Sequence, residues 1–190
     1  VGRIHLNKPK SLNSLTQNMC AGMYEHLVRW AADDDIHAVV VTGEGDRAFC
    51  AGGDVIQVST GGKKDPVAAR EFFRVEYEMD LAIADFPKPY ISLIDGIVMG
   101  GGLGISVNGR YRVMSEHIMA AMPETGIGLL PDVGATAFLN KCPGRIGLYL
   151  GLTGARLDAA DALHAGFATH FVPRDRQQNL LESLVSAEYL

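Results

Sequence analysis

The sequence predicts an α/β fold with largely parallel sheets, and two observations support this prediction. Short apolar runs alternate with amphipathic segments along the 190 residues, as in chains that interleave strands and helices. The runs over 38–42 and 90–94 are largely apolar or β-branched, which is typical of strands buried on both faces of a parallel sheet. With 47% hydrophobic residues, the chain can form the core of one domain, which we expect to span residues 1–190.

The first half of the chain predicts two strands that each lead to a helix. Residues 3–6 form the first strand, and residues 16–32 form a helix. Its apolar residues recur at helical spacing: Met19, Met23, Leu27 and Trp30. The strand over 38–42 ends in the loop G-E-G-D-R-A-F-C-A-G-G-D, and a link of glycine and lysine leads to a helix over 67–86.

The second half of the chain repeats this alternation. The strand over 90–94 precedes the turn G-I-V-M-G-G-G-L-G, whose glycines open a helix that runs to about residue 107. Residues 111–114 and 118–121 form short strands, and a Pro-Glu loop follows. From about residue 132 onward, short helices alternate with glycine and proline.

Charge and cysteine usage argue against several classes of protein. The 17 Lys and Arg against 22 Asp and Glu give a net charge of −5, which argues against a nucleic-acid partner. The three cysteines form no C-x-x-C pair and the histidines lack metal-ligand spacing, so we expect a reducing compartment and no metal site. No apolar run reaches the ~20 residues of a membrane span, so we expect no membrane partner.

Two glycine-rich loops, A-F-C-A-G-G-D and M-G-G-G-L-G, share one design, because each lacks side chains where a buried strand ends. Glycine there permits close backbone approach and leaves N–H groups free to face a ligand. The second loop also opens a helix, whose N-terminus favours negative charge. Together the loops can form an oxyanion hole. The alternative is that they are tight turns whose glycines serve packing.

Three carboxylates are candidates for catalysis because of their apolar surroundings. Glu124 and Asp132 each follow a proline in A-M-P-E-T-G-I-G-L-L-P-D-V-G-A, which carries no other charge. Glu76 lies in an apolar helix stripe, four residues after Phe72 and three before Met79. Burial is costly for a carboxylate and raises its pKa, a combination typical of functional sites. As alternatives, the loop carboxylates accept backbone N–H bonds, and Glu76 reaches a helix end or an arginine.

Four motifs in this order resemble the crotonase (enoyl-CoA hydratase/isomerase) superfamily: N-K-P-K-S-L-N-S-L, A-F-C-A-G-G-D, G-I-V-M-G-G-G-L-G and M-P-E-T-G-I-G-L-L-P-D-V-G. The resemblance covers essentially the whole chain. Within the superfamily, the chain looks most like the 3-hydroxyisobutyryl-CoA hydrolases, through the runs F-F-R-V-E-Y, L-T-G-A-R-L and G-F-A-T-H.

The resemblance implies a crotonase-like spiral of ββα units that binds an acyl-CoA thioester, with no cofactor beyond the coenzyme A of the substrate. By position, the backbone N–H groups of Gly53 and Gly101 hold the thioester oxygen, and Glu76 contacts the substrate. It also implies a homo-oligomer, a trimer or hexamer, in the cytoplasm or in the mitochondrial matrix of a eukaryote. Hydrolases of this group extend further, so we expect the chain to lack its C-terminal helices.

The resemblance also favours thioester hydrolysis over hydration. Hydratases of the superfamily hold water between two glutamates; the first of those positions is here Gly104 and the second is Glu124. Glu124 either attacks the thioester carbonyl to form a mixed anhydride or acts as general base on water, and both roles stay open. Asp132 would hydrogen-bond the 3-hydroxyl of the substrate. The predicted reaction is hydrolysis of a 3-hydroxyacyl-CoA, 3-hydroxyisobutyryl-CoA of valine catabolism first among them.

Two other functions stay open: a hydratase or isomerase that uses Glu124 alone, and a non-catalytic relative that keeps the fold. Cys50 lies beside the first glycine loop, but no histidine is near it in sequence, so we expect a small buried residue rather than a nucleophile. Four lysines on loops either contact CoA phosphates or only keep the surface soluble: Lys8, Lys10, Lys63 and Lys64.

Overall fold

The structure is a computed structural model that describes residues 1–55, 58–59 and 65–187. Lys63 and Lys64 lie outside the described residues. The described part of the chain contains eight strands: β1 (Gly2–Leu6), β2 (Val39–Gly43), β3 (Ala48–Cys50), β4 (Tyr90–Ile94), β5 (Ile97–Met99), β6 (Tyr111–Met114), β7 (Met119–Ala121) and β8 (His170–Phe171). Its α-helices are α1 (Gln17–Ala31), α2 (Pro66–Ala84), α3 (Gly101–Val107), α4 (Ala135–Phe138), α5 (Ile146–Thr153), α6 (Ala159–Ala165) and α7 (Arg174–Ser186).

From β2 onward, successive strands alternate between two parallel sheets. The larger sheet has the order β1-β2-β4-β6-β8, and the smaller has the order β3-β5-β7. Every ladder in both sheets is parallel, with Val39 of β2 opposite Tyr90 of β4. The pairs β2–β3 and β4–β5 are each followed by a helix, α2 and α3 respectively. The α/β class and the ββα units predicted above are therefore confirmed.

The larger sheet is buried on both faces, which explains its apolar strands. Val39 and Val41 of β2 pack in the main core together with residues of α1, α2, α3 and the smaller sheet. Val40, between them, points to the other face and packs in a second core with Leu181 of α7. Each such fully buried side chain contributes ~1.5–3 kcal/mol through removal from water.

The long helices begin where a side chain accepts a hydrogen bond from the first turn. Thr16 caps α1 by accepting from the Met19 N–H at 3.3 Å, and Asp65 caps α2 by accepting from the N–H groups of Val67 and Ala68. None of the described helices combines the length and apolarity needed to cross a lipid bilayer.

Three short strands fall where the sequence predicts loops or no regular structure. β3 and β5 lie inside the two glycine-rich segments that we assigned to loops, and β8 has only two residues. Strands of two or three residues are too short to show a periodicity, and only pairing with distant neighbours makes them strands. The predicted longer elements agree with the structure to within two residues at either end.

Candidate active site

Both glycine loops, α2 and the Pro-Glu loop surround one cavity of about 220 Å³. All five residues predicted for the site line it: Gly53, Glu76, Gly101, Glu124 and Asp132. The rest of the lining is mainly apolar: Ala51, Gly52, Val55, Val58, Phe72, Phe73, Gly100, Pro123, Ile127 and Leu129. No Lys, Arg or His occurs among these described residues, so the three carboxyl groups share the cavity without a neighbouring cation.

The amide nitrogens of Gly53 and Gly101 lie close together at this cavity. The Leu15 N–H donates to the Gly52 carbonyl and the Asp54 N–H donates to the Leu15 carbonyl, so the Gly53 N–H lies on the side away from Leu15. Gly101 is the first residue of α3, and an N–H in the first helical turn has no partner within its helix. A methyl group on Gly101 would lie 3.1 Å from the Gly53 nitrogen.

Glycine is required where the two loops meet. Gly52 has φ +99°, and a methyl group there would lie 2.9 Å from the Met99 carbonyl oxygen and 3.3 Å from the Gly101 nitrogen. Gly100 has φ +50° and ψ −120°, which L-residues rarely adopt. The two N–H groups can therefore converge because the backbone carries no side chains at this contact, as an oxyanion hole requires.

Glu124 follows Pro123 and begins a short 3-10 helix, Glu124–Ile127, three residues after the last residue of β7. Its side chain is 5% exposed, and a methyl group on Gly100 would lie 2.6 Å from its Oε1. Its Oε2 has no hydrogen-bond partner among the described residues. Burial, followed by the charge of Asp132, raises the pKa of Glu124 to about 7. Such a carboxyl exchanges protons readily near neutral pH and is suited to nucleophilic or general-base work.

Asp132 lies opposite α2 and is oriented by a residue that the sequence analysis missed. The Tyr77 O–H donates a hydrogen bond to Asp132 Oδ2 at 2.6 Å. Burial raises the pKa of Asp132, and the hydrogen bond from Tyr77 opposes that rise. Tyr77 follows Glu76 on α2, and only the fold shows that it reaches a loop 55 residues further along the chain.

Glu76 is buried, as its place in the apolar stripe of α2 predicts. It is 2% exposed, and its Oε1 has no hydrogen-bond partner among the described residues. A methyl group on Gly101 would lie 2.6 Å from this oxygen, so Glu76 packs against the start of α3. Burial, then Asp132 and Glu124, raise the pKa of Glu76 to about 8. The neighbouring arginine on α2, Arg74, instead pairs with two exposed glutamates.

Other candidates from the sequence lie outside this arrangement. Cys50 is fully buried, and burial raises the pKa of its thiol to about 12, so it packs as a small apolar residue. Lys8 Nζ donates to Asp54 Oδ2 at 2.9 Å, and Lys10 is exposed. In the part of the chain that the structure describes, no group of His, Cys, Asp and Glu side chains is arranged to hold a metal ion.

Curated proteins of known sequence match nearly all of this chain. A 3-hydroxyisobutyryl-CoA hydrolase of mitochondria from Xenopus tropicalis is 49% identical over 97% of the chain, and the Homo sapiens hydrolase of the same name is 46% identical. The matched region is 48% of each of these proteins, so the chain spans about half the length of the curated relatives it matches.

Solved structures and a family model agree on the fold. A carnitinyl-CoA dehydratase from Mycobacterium thermoresistibile is 45% identical with a TM-score of 0.94, covering 97% of this chain and 54% of that one. An enoyl-CoA hydratase from Rhodobacter sphaeroides is 46% identical with a TM-score of 0.92, covering 96% and 54% respectively. The enoyl-CoA hydratase/isomerase family model matches residues 1–189. The chain belongs to the enoyl-CoA hydratase/isomerase family.

Proposed function

We propose that this chain forms the catalytic domain of a 3-hydroxyacyl-CoA hydrolase, with 3-hydroxyisobutyryl-CoA as its substrate. The observation that carries the proposal is the convergence of Glu124 with the amides of Gly53 and Gly101 on one cavity. The names of the two curated relatives point to the same substrate. Coenzyme A enters as part of the substrate, and the proposed chemistry uses no further cofactor.

The proposed reaction adds water across the thioester C–S bond. The Gly53 and Gly101 N–H groups hold the carbonyl oxygen as negative charge develops on it. Ionised Glu124 either attacks the carbonyl carbon, releasing CoA thiolate and leaving an anhydride that water cleaves, or removes a proton from the attacking water. Both routes end in a free carboxylate and CoA thiol. Asp132, oriented by Tyr77, accepts a hydrogen bond from the 3-hydroxyl of the acyl group.

The space around Gly104 favours hydrolysis over hydration. A methyl group there would lie 2.7 Å from Val133 Cβ, so α3 has no room for the first glutamate of a hydratase pair. Hydration remains the second candidate, because the solved relatives at 45–46% identity are a dehydratase and a hydratase. We further propose a homo-oligomer, located in the mitochondrial matrix in a eukaryote and otherwise in the cytoplasm.

Release of free thiol separates the candidates. We expect thiol release from 3-hydroxyisobutyryl-CoA, followed with a thiol reagent, and little hydration of crotonyl-CoA, followed by loss of enoyl absorbance. As a matched control, Glu78→Gln changes an exposed glutamate of α2 that pairs with Arg74, and it should leave both rates unchanged. Hydration of crotonyl-CoA without thiol release would refute the hydrolase proposal, and absence of both reactions in a folded protein would favour a non-catalytic relative.

A further inference from the structure

Asp80 is a second buried carboxyl on the inner face of α2, one helical turn beyond Glu76. It is 5% exposed, and neither of its carboxyl oxygens has a hydrogen-bond partner among the described residues. The reaction proposed above does not use it. A buried polar group without a partner is rare in a folded protein and calls for an explanation.

The two buried carboxyls of α2 each face a glycine of α3: Glu76 faces Gly101, and Asp80 faces Gly104. A methyl group on Gly101 would lie 2.6 Å from Glu76 Oε1, and one on Gly104 would lie 2.9 and 3.1 Å from the two oxygens of Asp80. Every residue of α3 is buried, and none carries a charge. The Asp80 carboxyl therefore lies directly against the α3 backbone, where α2 and α3 meet.

No cation balances a charge on Asp80 among the described residues around it. The titratable groups that face it from the neighbouring elements are Cys20 of α1, Cys50 of β3, Glu76 and Tyr77 of α2, Tyr90 of β4 and Asp132. Each of these groups is neutral or negative in either of its protonation states. Burial first, then Glu76 and Asp132, therefore raise the pKa of Asp80 well above its usual range.

We propose that Asp80 is a positioning residue that acts in its protonated form, holding α2 against α3 so that Glu76 stays over Gly101 at the cavity. When Asp80 ionises, an uncompensated charge lies at the α2–α3 contact, and the helix has to shift for water to reach it. Glu76 shifts with it, because both residues lie on one face of the same helix. Glu124 lies on a different element and stays in place. Ionisation of Asp80 therefore weakens substrate binding at alkaline pH and leaves the turnover of bound substrate largely unchanged.

The substitution Asp80→Asn tests this proposal, because an amide keeps the size of the side chain and stays neutral at every pH. We expect D80N to keep the wild-type KM and kcat at neutral pH and to lack the alkaline rise in KM that ionisation of Asp80 causes in the wild type. Asp85→Asn removes an exposed carboxylate from the end of the same helix and should leave the wild-type profile unchanged. These kinetic readouts rest on the proposed hydrolysis.

Urea unfolding across pH supplies a readout that does not depend on any activity. Above about pH 4, Asp80 is ionised in the unfolded wild type but keeps its proton in the folded wild type, whereas the amide of D80N does not titrate. The folding equilibrium constant of the wild type should therefore fall relative to that of D80N by up to tenfold per pH unit. Asp80→Leu, also neutral, should behave like D80N in unfolding. Three results would each overturn the proposal. The first is the same alkaline rise in KM in D80N as in the wild type, and the second is a manyfold drop in the kcat of D80N at neutral pH. The third is a stability of D80N that depends on pH in the same way as that of the wild type. Failure of the hydrolysis assay alone, with the unfolding result as expected, would count against the proposed function instead.

Discussion

Substitution of Gly101 by alanine should disable the oxyanion hole with the smallest possible change. The added methyl group would lie 2.6 Å from Glu76 Oε1 and 3.1 Å from the Gly53 nitrogen, both shorter than the ~3.5–4.0 Å of optimal carbon contacts. It would therefore occupy the space between the two N–H donors. Loss of one oxyanion donor costs roughly 10²–10³ in kcat, or about 2.7–4 kcal/mol, and we expect G101A to fall in this range.

Thiol release under saturating 3-hydroxyisobutyryl-CoA measures this effect as kcat. The matched control is Gly22→Ala in the middle of α1, where a methyl group would meet nothing within 4 Å. That substitution should leave kcat unchanged and stabilise the helix by up to ~1 kcal/mol. A G101A protein that folds normally and keeps kcat within a factor of three of the wild type would refute the assignment of this turn as the oxyanion hole.

Three further predictions concern the carboxyl groups of the cavity. Glu124→Gln should abolish thiol release and leave the Kd for free CoA near the wild-type value; retained turnover would exclude both proposed roles of Glu124. Asp132→Asn should slow the hydrolysis of 3-hydroxyisobutyryl-CoA more than that of isobutyryl-CoA. Equal losses of rate on both substrates would show that Asp132 does not bind the 3-hydroxyl. Glu76 has a pKa of about 8 when folded against 4.5 as its ordinary value, so the folded state binds the extra proton and stability falls as pH rises between these values. At pH 7, Glu76→Gln should therefore raise the free energy of unfolding by ~3 kcal/mol at most, measured by urea unfolding. A variant less stable than the wild type would contradict this prediction.

The rate of hydrolysis should rise with pH through about 7, since Glu124 has to be ionised in either role and its pKa is raised to about 7. Because Glu76, Glu124 and Asp132 influence one another, this acid limb belongs to the group as a whole. The order of the two pKa values agrees with the proposed chemistry, because Glu124 ionises at a lower pH than Glu76 does.

The sequence by itself determined the α/β class, the long strands and helices, and the residues of the cavity. These follow from local signals: continuous apolar runs such as Val39–Val41, glycines at strand ends, and Glu76 within a helical stripe. The burial of Glu76 was predictable for the same reason, because a helix that packs one face buries every residue on that face.

Only the tertiary structure decided which distant groups meet. Tyr77 reaches Asp132 across 55 residues, and Asp80 lies against Gly104, although both lie within one turn of Glu76 on α2. The short strands β3 and β5 likewise exist because they pair with each other across the smaller sheet. Periodicity states which face of a helix is buried, but the partner across that face is set by packing between elements remote in sequence. The protonation states of the three cavity carboxyls depend on that packing as well, because burial and the charges of distant neighbours raise their pKa values together.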